Sequence, residues 1–208
     1  ATISPAPSND SLCEGDTLFL TANLTGGLPP YTFNWTGPNG WTSTIQNPVI
    51  TNVTPAMSGN YILSLLDGYG CPAIVDTTNV YVRPAPNATI SGTTAVCLNA
   101  TQPLITFTGT AGTAPFTFTY NINGGTNTTV TTTSGNTVTV SVSTGTAGTF
   151  VYNLISVTDA HGCSKNVTGS ATVTVNALPS CSISGNTTIC PSSTGNTYTA
   201  PAGMTTYA

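Results

Sequence analysis

Two stretches of the chain, GGLPPYTFNW (Gly26–Trp35) and AGTAPFTFTY (Ala111–Tyr120), align with Pro30 on Pro115, Tyr31 on Phe116, Phe33 on Phe118 and Trp35 on Tyr120. The match extends in both directions. SGNYILSL (Ser58–Leu65) answers AGTFVYNL (Ala147–Leu154), and NATISGTTAVC (Asn87–Cys97) answers SCSISGNTTIC (Ser180–Cys190). Cys13, Cys97 and Cys190 hold the same place in each copy, 84 and then 93 positions apart. A unit of that length is too long for a propeller blade or a solenoid turn and matches one β-sandwich per repeat.

Within each unit the apolar residues alternate with Thr, Ser or Asn. TLFLTANL, PYTFNW, NYILSL, LITFTG, PFTFTY, NTVTVSVS, TFVYNLISV and ATVTV are rich in β-branched and aromatic residues and bounded by Gly, Pro, Asn and Ser. Period-two alternation of this kind specifies strands with one face in a core. No segment carries a 3.6-residue period with a cap and a stop. The expected fold is therefore all-β, with tandem sandwiches over residues 1–84 and 85–176 and the opening of a third over 177–208. The joints fall at Arg83–Pro86 (RPAP) and Asn176–Pro179 (NALP), where proline stiffens the chain and stops strands from running on. About thirty residues cannot close a sandwich core, so the chain reads as a portion of a longer array.

A five-residue frame, Asp-x-x-Gly-Cys, occurs at Asp67–Cys71 (DGYGC) and again at Asp159–Cys163 (DAHGC). Asp followed by Gly is turn chemistry: the carboxylate bonds its own backbone two residues on, and Gly supplies a positive φ. The frame thus reads as a hairpin with a cysteine just beyond it. Pairing inside each unit, Cys13 with Cys71 and Cys97 with Cys163, would close most of each sandwich. Cys181 and Cys190 are unassigned: they pair with each other, pair beyond residue 208, or stay free. Cysteine pairs in small domains imply an oxidising, extracytoplasmic compartment.

Composition narrows the function. Charged residues are 4 % of the chain, and Arg83 and Lys165 are the only basic ones, against roughly 25 % charged residues in an ordinary soluble domain. No basic patch can neutralise phosphates, so a nucleic-acid partner is excluded. No apolar run is long enough to insert in a bilayer. Arg83 precedes Pro84, so trypsin is expected to cut at Lys165 at most.

Catalysis needs a poised acid, base, nucleophile or metal. His161 is the single histidine and sits in a turn, two residues from Asp159. Glu14, Asp16 and Asp10 cluster near Cys13 with no sign of a cleft. No zinc spacing or Cys-x-x-Cys pair exists. The chain is read as no enzyme, with no cofactor and no metal. Trp41, in the Gly-rich loop GPNGWTST, lies outside the alternating pattern. It either caps the sandwich end or stacks on a sugar or a partner protein.

Trp35 behind YTFNW, followed by TPAMSGNYILSL, resembles an immunoglobulin-like sandwich. The resemblance implies that Trp35 packs in the core and that Tyr61 is a tyrosine corner. Leu63 stands where that family has its second core cysteine, with Leu20 facing it, so apolar packing replaces the core disulfide. The motifs GGLPPYTFNW, Asp-x-x-Gly-Cys and CSISGNTTICPSSTGNTYTAPAGMTTYA are similar to Ig-like and PKD-like repeats of large secreted Bacteroidetes surface proteins. These include gliding-motility adhesins exported by the type IX system. That resemblance covers essentially the whole chain and implies a cell-surface filament exported with a C-terminal sorting domain. It also implies O-glycosylation of Asp-Ser/Thr sites, for which Ser11, Thr17 and Thr77 are the candidates. The nine Asn-x-Ser/Thr sequons, among them Asn23, Asn34, Asn87 and Asn166, barely exceed what composition alone gives.

The leading expectation is a structural, adhesive spacer segment of an extracellular filament, with neighbouring repeats as its partners. The alternatives are a module that binds glycans or a host protein through the loop around Trp41, or an accessory array of a secreted hydrolase. A third unit completed by a strand from another chain is a further expectation.

Overall fold

A computed structural model describes residues 2–7, 12–69 and 74–180, the first of these as backbone only. In the first unit the strands are β1 (Thr2–Pro7), β2 (Leu12–Cys13), β3 (Leu18–Thr25), β4 (Thr32–Thr36), β5 (Thr42–Ser43), β6 (Val49–Ile50), β7 (Gly59–Leu66), β8 (Ile74–Val80) and β9 (Val82–Arg83). The second unit follows with β10 (Asn87–Ser91), β11 (Thr94–Cys97), β12 (Leu104–Ala111) and β13 (Thr117–Ile122). It ends with β14 (Thr128–Thr131), β15 (Thr137–Ser141), β16 (Gly148–Thr158) and β17 (Ser164–Asn176). Two 3-10 turns, Pro38–Gly40 and Pro55–Met57, are the only helical segments among the described residues.

The two units share one topology. In the first, β1-β3-β6 forms one sheet and β5-β4-β7-β8 the other. In the second, the sheets run β10-β12-β15 and β11-β17-β16-β13-β14. Among the described residues all pairings are antiparallel except two: β2 runs parallel to β9, and β11 runs parallel to β17. An opening strand that pairs first with its own neighbour and then, in parallel, with the last strand is the arrangement of an immunoglobulin-like sandwich. The fold is all-β, two such sandwiches in tandem.

Alternation explains why each sheet has one wet face. On β3, Leu18, Leu20 and Ala22 are buried while Phe19, Thr21 and Asn23 are exposed. On β7, Tyr61, Leu63 and Leu65 point inward in the same way. These residues meet Trp35, Val53, Val80 and Val82 in one core. A second, separate core gathers Ile105, Phe107, Phe116, Phe118, Tyr120, Tyr152, Leu154, Val157 and Val173.

Trp35 has no exposed surface, and its indole N–H donates to the Gln46 carbonyl at 3.3 Å. The Tyr61 hydroxyl donates to the Met57 carbonyl four residues upstream at 3.1 Å, which is a tyrosine corner. Leu63 and Leu20 lie in the same apolar core.

Candidate functional site

Each sandwich has two distinct ends, and strand direction decides which cysteine reaches which. Because β2 runs parallel to β9, Cys13 stands opposite Arg83, at the trailing end where the chain leaves the first sandwich. Because β11 runs parallel to β17, Cys97 stands opposite Asn176, at the trailing end of the second. The β16–β17 hairpin lies at the other end, with Cys163 immediately before Ser164, the first residue of β17. β17 is 13 residues long, which at about 3.3 Å per residue sets Cys97 and Cys163 roughly 40 Å apart.

A disulfide requires Cα atoms within about 7 Å. The expected Cys97–Cys163 bond is therefore incompatible with the fold, and it does not form. Instead Cys163 is bonded to Cys13, with a Cα–Cα distance of 5.5 Å across 150 residues of sequence. Cys97 is a free, exposed thiol. The expected partnership of Cys13 with Cys71 is overturned by the same bond, since Cys13 is already engaged. Cys71, Cys181 and Cys190 lie outside the described residues.

The Cys13–Cys163 bond ties the trailing end of one sandwich to the leading end of the next. The residues around it lock the same joint. The connector is Pro84–Ala85–Pro86, in which only Ala85 carries a backbone N–H. The Glu14 carboxylate accepts that N–H at 3.1 Å, while the Glu14 N–H donates to the Arg83 carbonyl at 2.8 Å. Arg83 lies over the Tyr81 ring, 5.1 Å from its centroid.

On the opposite side, Asp159 is 7 % exposed and spends its carboxylate on backbone amides. Its Oδ1 accepts from His161 at 2.9 Å and Cys163 at 3.1 Å, and its Oδ2 from Thr113 at 3.1 Å. The hairpin is closed further by Gly162, whose φ of 81° favours glycine. Gly112 supplies the close approach: a Cβ there would lie 3.0 Å from Pro86 and 3.2 Å from the Asp159 carboxylate. Tyr81, Arg83 and Pro84 from one side and Gly112, Thr113, Asp159 and His161 from the other enclose a small cavity of about 130 Å³.

Asp159 therefore shapes the hairpin that presents Cys163, and both of its oxygens are occupied by amides rather than by the imidazole of exposed His161. Asp16 has a similar task, accepting the Cys13 N–H at 2.8 Å. In the first unit, Asp67 accepts the Tyr69 N–H at 3.0 Å. Glu14, Gly112 and Thr113 went unassigned in the sequence. The signal for Glu14 was present, as it is the one glutamate of the chain and follows a cysteine directly.

Trp41 is half-buried and packs edge-on against Tyr61, with ring centroids 5.4 Å apart. Beside it opens a pocket of about 270 Å³ lined by Pro38, Asn39, Gly40, Ile50, Met57 and Tyr61. Thr77 is exposed on β8 and Thr17 half-buried before β3, whereas Ser11 lies outside the described residues. Among the described residues there is no group of three or more side chains able to hold a metal ion, and no helix is long and apolar enough to cross a membrane.

No protein-family profile matches the sequence, and no curated protein does. Solved structures do match its fold. A marsupial T cell receptor aligns with a TM-score of 0.52 at 12 % identity, over 88 % of this chain and 76 % of that one. The N-terminal eight Ig domains of Down Syndrome Cell Adhesion Molecule align with a TM-score of 0.50 at 17 % identity. That alignment covers 85 % of this chain and 24 % of that one. A 1.5-MDa bacterial ice-binding adhesin aligns more loosely, with a TM-score of 0.45 at 18 % identity over 89 % of this chain and 69 % of that one. At such identities the likeness to the first two establishes the immunoglobulin-like fold alone.

Proposed function

We propose that the chain is a structural and adhesive repeat segment of an extracellular cell-surface filament, in which covalently linked sandwiches act as spacers. The observation that carries this reading is the Cys13–Cys163 bond, which spans the joint instead of closing one domain. A bond inside a domain protects that domain. A bond between domains fixes the angle at which one follows the other.

For a sequence separation of 150 residues, chain-entropy arguments give about 5 kcal/mol against separating and unfolding the linked pair. The Glu14–Ala85 contact and the two prolines act in the same direction on the connector. Relative motion of neighbouring domains is the default when only a flexible linker joins them. Here a covalent crosslink, a tethered linker and a close approach at Gly112 all restrict it. A load applied along such an array passes through the crosslinks as well as the backbone. A disulfide of this kind requires an oxidising compartment, which supports a place outside the cytoplasm. The Thr- and Asn-rich surface stays hydrated with little charge.

In this reading residues 1–84 and 85–176 are successive spacers, residues 177–208 begin the next, and the partners are neighbouring repeats. Immunogold labelling of intact producing cells with antibody to this segment tests it. Gold on extended material outside the cell is the expected result. Labelling only after permeabilisation would sink the proposal.

A further inference from the structure

We infer that Cys97 is the next link of a disulfide ladder, bonded in the native array to the Asp-x-x-Gly-Cys hairpin cysteine of the sandwich that follows. The inference rests on the spacer reading above and extends it from one joint to all. It starts from the local structure that presents Cys13, which is reproduced at Cys97.

Both cysteines end the strand that runs parallel to the last strand of their sandwich, Cys13 opposite Arg83 and Cys97 opposite Asn176. The hydrogen bonds that hold them are the same. Glu14 N–H donates to Arg83 O and Leu98 N–H to Asn176 O, each at 2.8 Å. Gly15 N–H donates to Val53 O at 2.8 Å, and Asn99 N–H to Thr144 O at 2.9 Å. Asp16 N–H donates to Cys13 O at 3.0 Å, and Ala100 N–H to Cys97 O at 3.1 Å. Even the turn residue is left-handed in both, with φ of 95° at Gly15 and 62° at Asn99.

One member of this matched pair is bonded to the hairpin of the next sandwich, and the other is exposed with a free thiol. The chain leaves the two sandwiches alike as well. Arg83 stands 7 positions before Ile90 and Asn176 stands 7 before Ile183, so the following repeat begins at the same distance. Cys163 is already bonded to Cys13, and Ala88, which holds the sequence position of Cys181 in the preceding repeat, is buried in its own core.

Bond formation takes one proton and one electron from each of two thiols, Cys97 and the hairpin cysteine. The disulfide of a thiol–disulfide oxidoreductase accepts both electrons and both protons and is reduced to a dithiol. Thiol–disulfide exchange needs an accessible sulfur, and Cys97 has one.

The test uses the native, full-length chain. Its free thiols are blocked with N-ethylmaleimide under denaturing, non-reducing conditions, and disulfide-linked peptides are then identified by mass spectrometry. The expected result is a Cys97 peptide linked to an Asp-x-x-Gly-Cys peptide located C-terminal to residue 208. In the Cys97→Ser chain one such hairpin cysteine then reacts with the maleimide, while Cys13–Cys163 persists. Cys97 found alkylated, or linked to Cys71, Cys181 or Cys190, overturns the ladder. If Cys13–Cys163 is intact in that case, the spacer reading survives; if it too is missing, the spacer reading falls with the ladder.

Discussion

The two sandwiches share a topology but fill it differently. The first is centred on one large residue, Trp35, with Tyr61 anchored by its hydroxyl and Leu20 and Leu63 in the core. The second has no tryptophan and stacks aromatics along its length. Phe116 lies 6.2 Å from Phe118, Phe118 5.7 Å from Phe107, Phe107 4.9 Å from Tyr120 and Tyr120 6.0 Å from Tyr152.

The difference is sharpest at the leading end. In the first sandwich Tyr31 is half-buried and its hydroxyl reaches the Gly26 carbonyl at 3.2 Å. In the second, its counterpart Phe116 is buried, and its N–H donates to the buried Thr132 hydroxyl at 2.9 Å. That is the end that meets the preceding sandwich. Where a joint must hold, the core extends to it.

Two separate cores predict two separable responses. Trp35→Ala should cost about 3–5 kcal/mol and lower the melting of the first sandwich alone, and Phe118→Ala should do the same to the second. Calorimetry decides the matter. If either substitution moves both transitions equally, the crosslinked pair melts as one unit and the distinction between cores has no thermodynamic meaning.

Thr132→Val should cost about 1–3 kcal/mol, because it strands the buried Phe116 N–H without changing side-chain shape. The effect should appear only in the second sandwich, and a neutral result would show that the leading end is not held there. Tyr61→Phe should cost about 1 kcal/mol in the first sandwich. The second already carries Phe150 at that position and has no such hydroxyl to lose.

Alkaline titration sharpens the same comparison. Burial raises the Tyr61 hydroxyl above its ordinary value of 10.0. Burial, and then the neighbouring Tyr120 charge, raise Tyr152. In each case the folded state holds its proton more tightly than the unfolded chain. The stabilisation is complete below about pH 10 and declines as pH rises through the raised folded values. Tyr61→Phe should remove that decline from the first transition and leave it in the second.

The strands, the Trp35 core and the Tyr61 corner were legible in the sequence because each is a local pattern. Alternation fixes which face is buried, and Tyr61 finds its carbonyl four residues away. The cysteine pairing was not legible. A repeat is unchanged when shifted by one period, so Cys13 with Cys71 and Cys13 with Cys163 fit the same spacing of motifs. What separates them is the parallel pairing of β2 with β9, which sets Cys13 at the trailing end. Two residues of β2 carry no signal of whether they run with or against a strand seventy positions on. The partner of Glu14 was hidden for the same reason, because Ala85 is 71 residues away.

The most direct measurement is disulfide mapping of the non-reduced protein by proteolysis and mass spectrometry. A peptide containing Cys13 joined to one containing Cys163 is the predicted result. Cys13 joined to Cys71, with Cys97 joined to Cys163, would mean that each sandwich is stapled to itself, and the crosslinked joint would not exist.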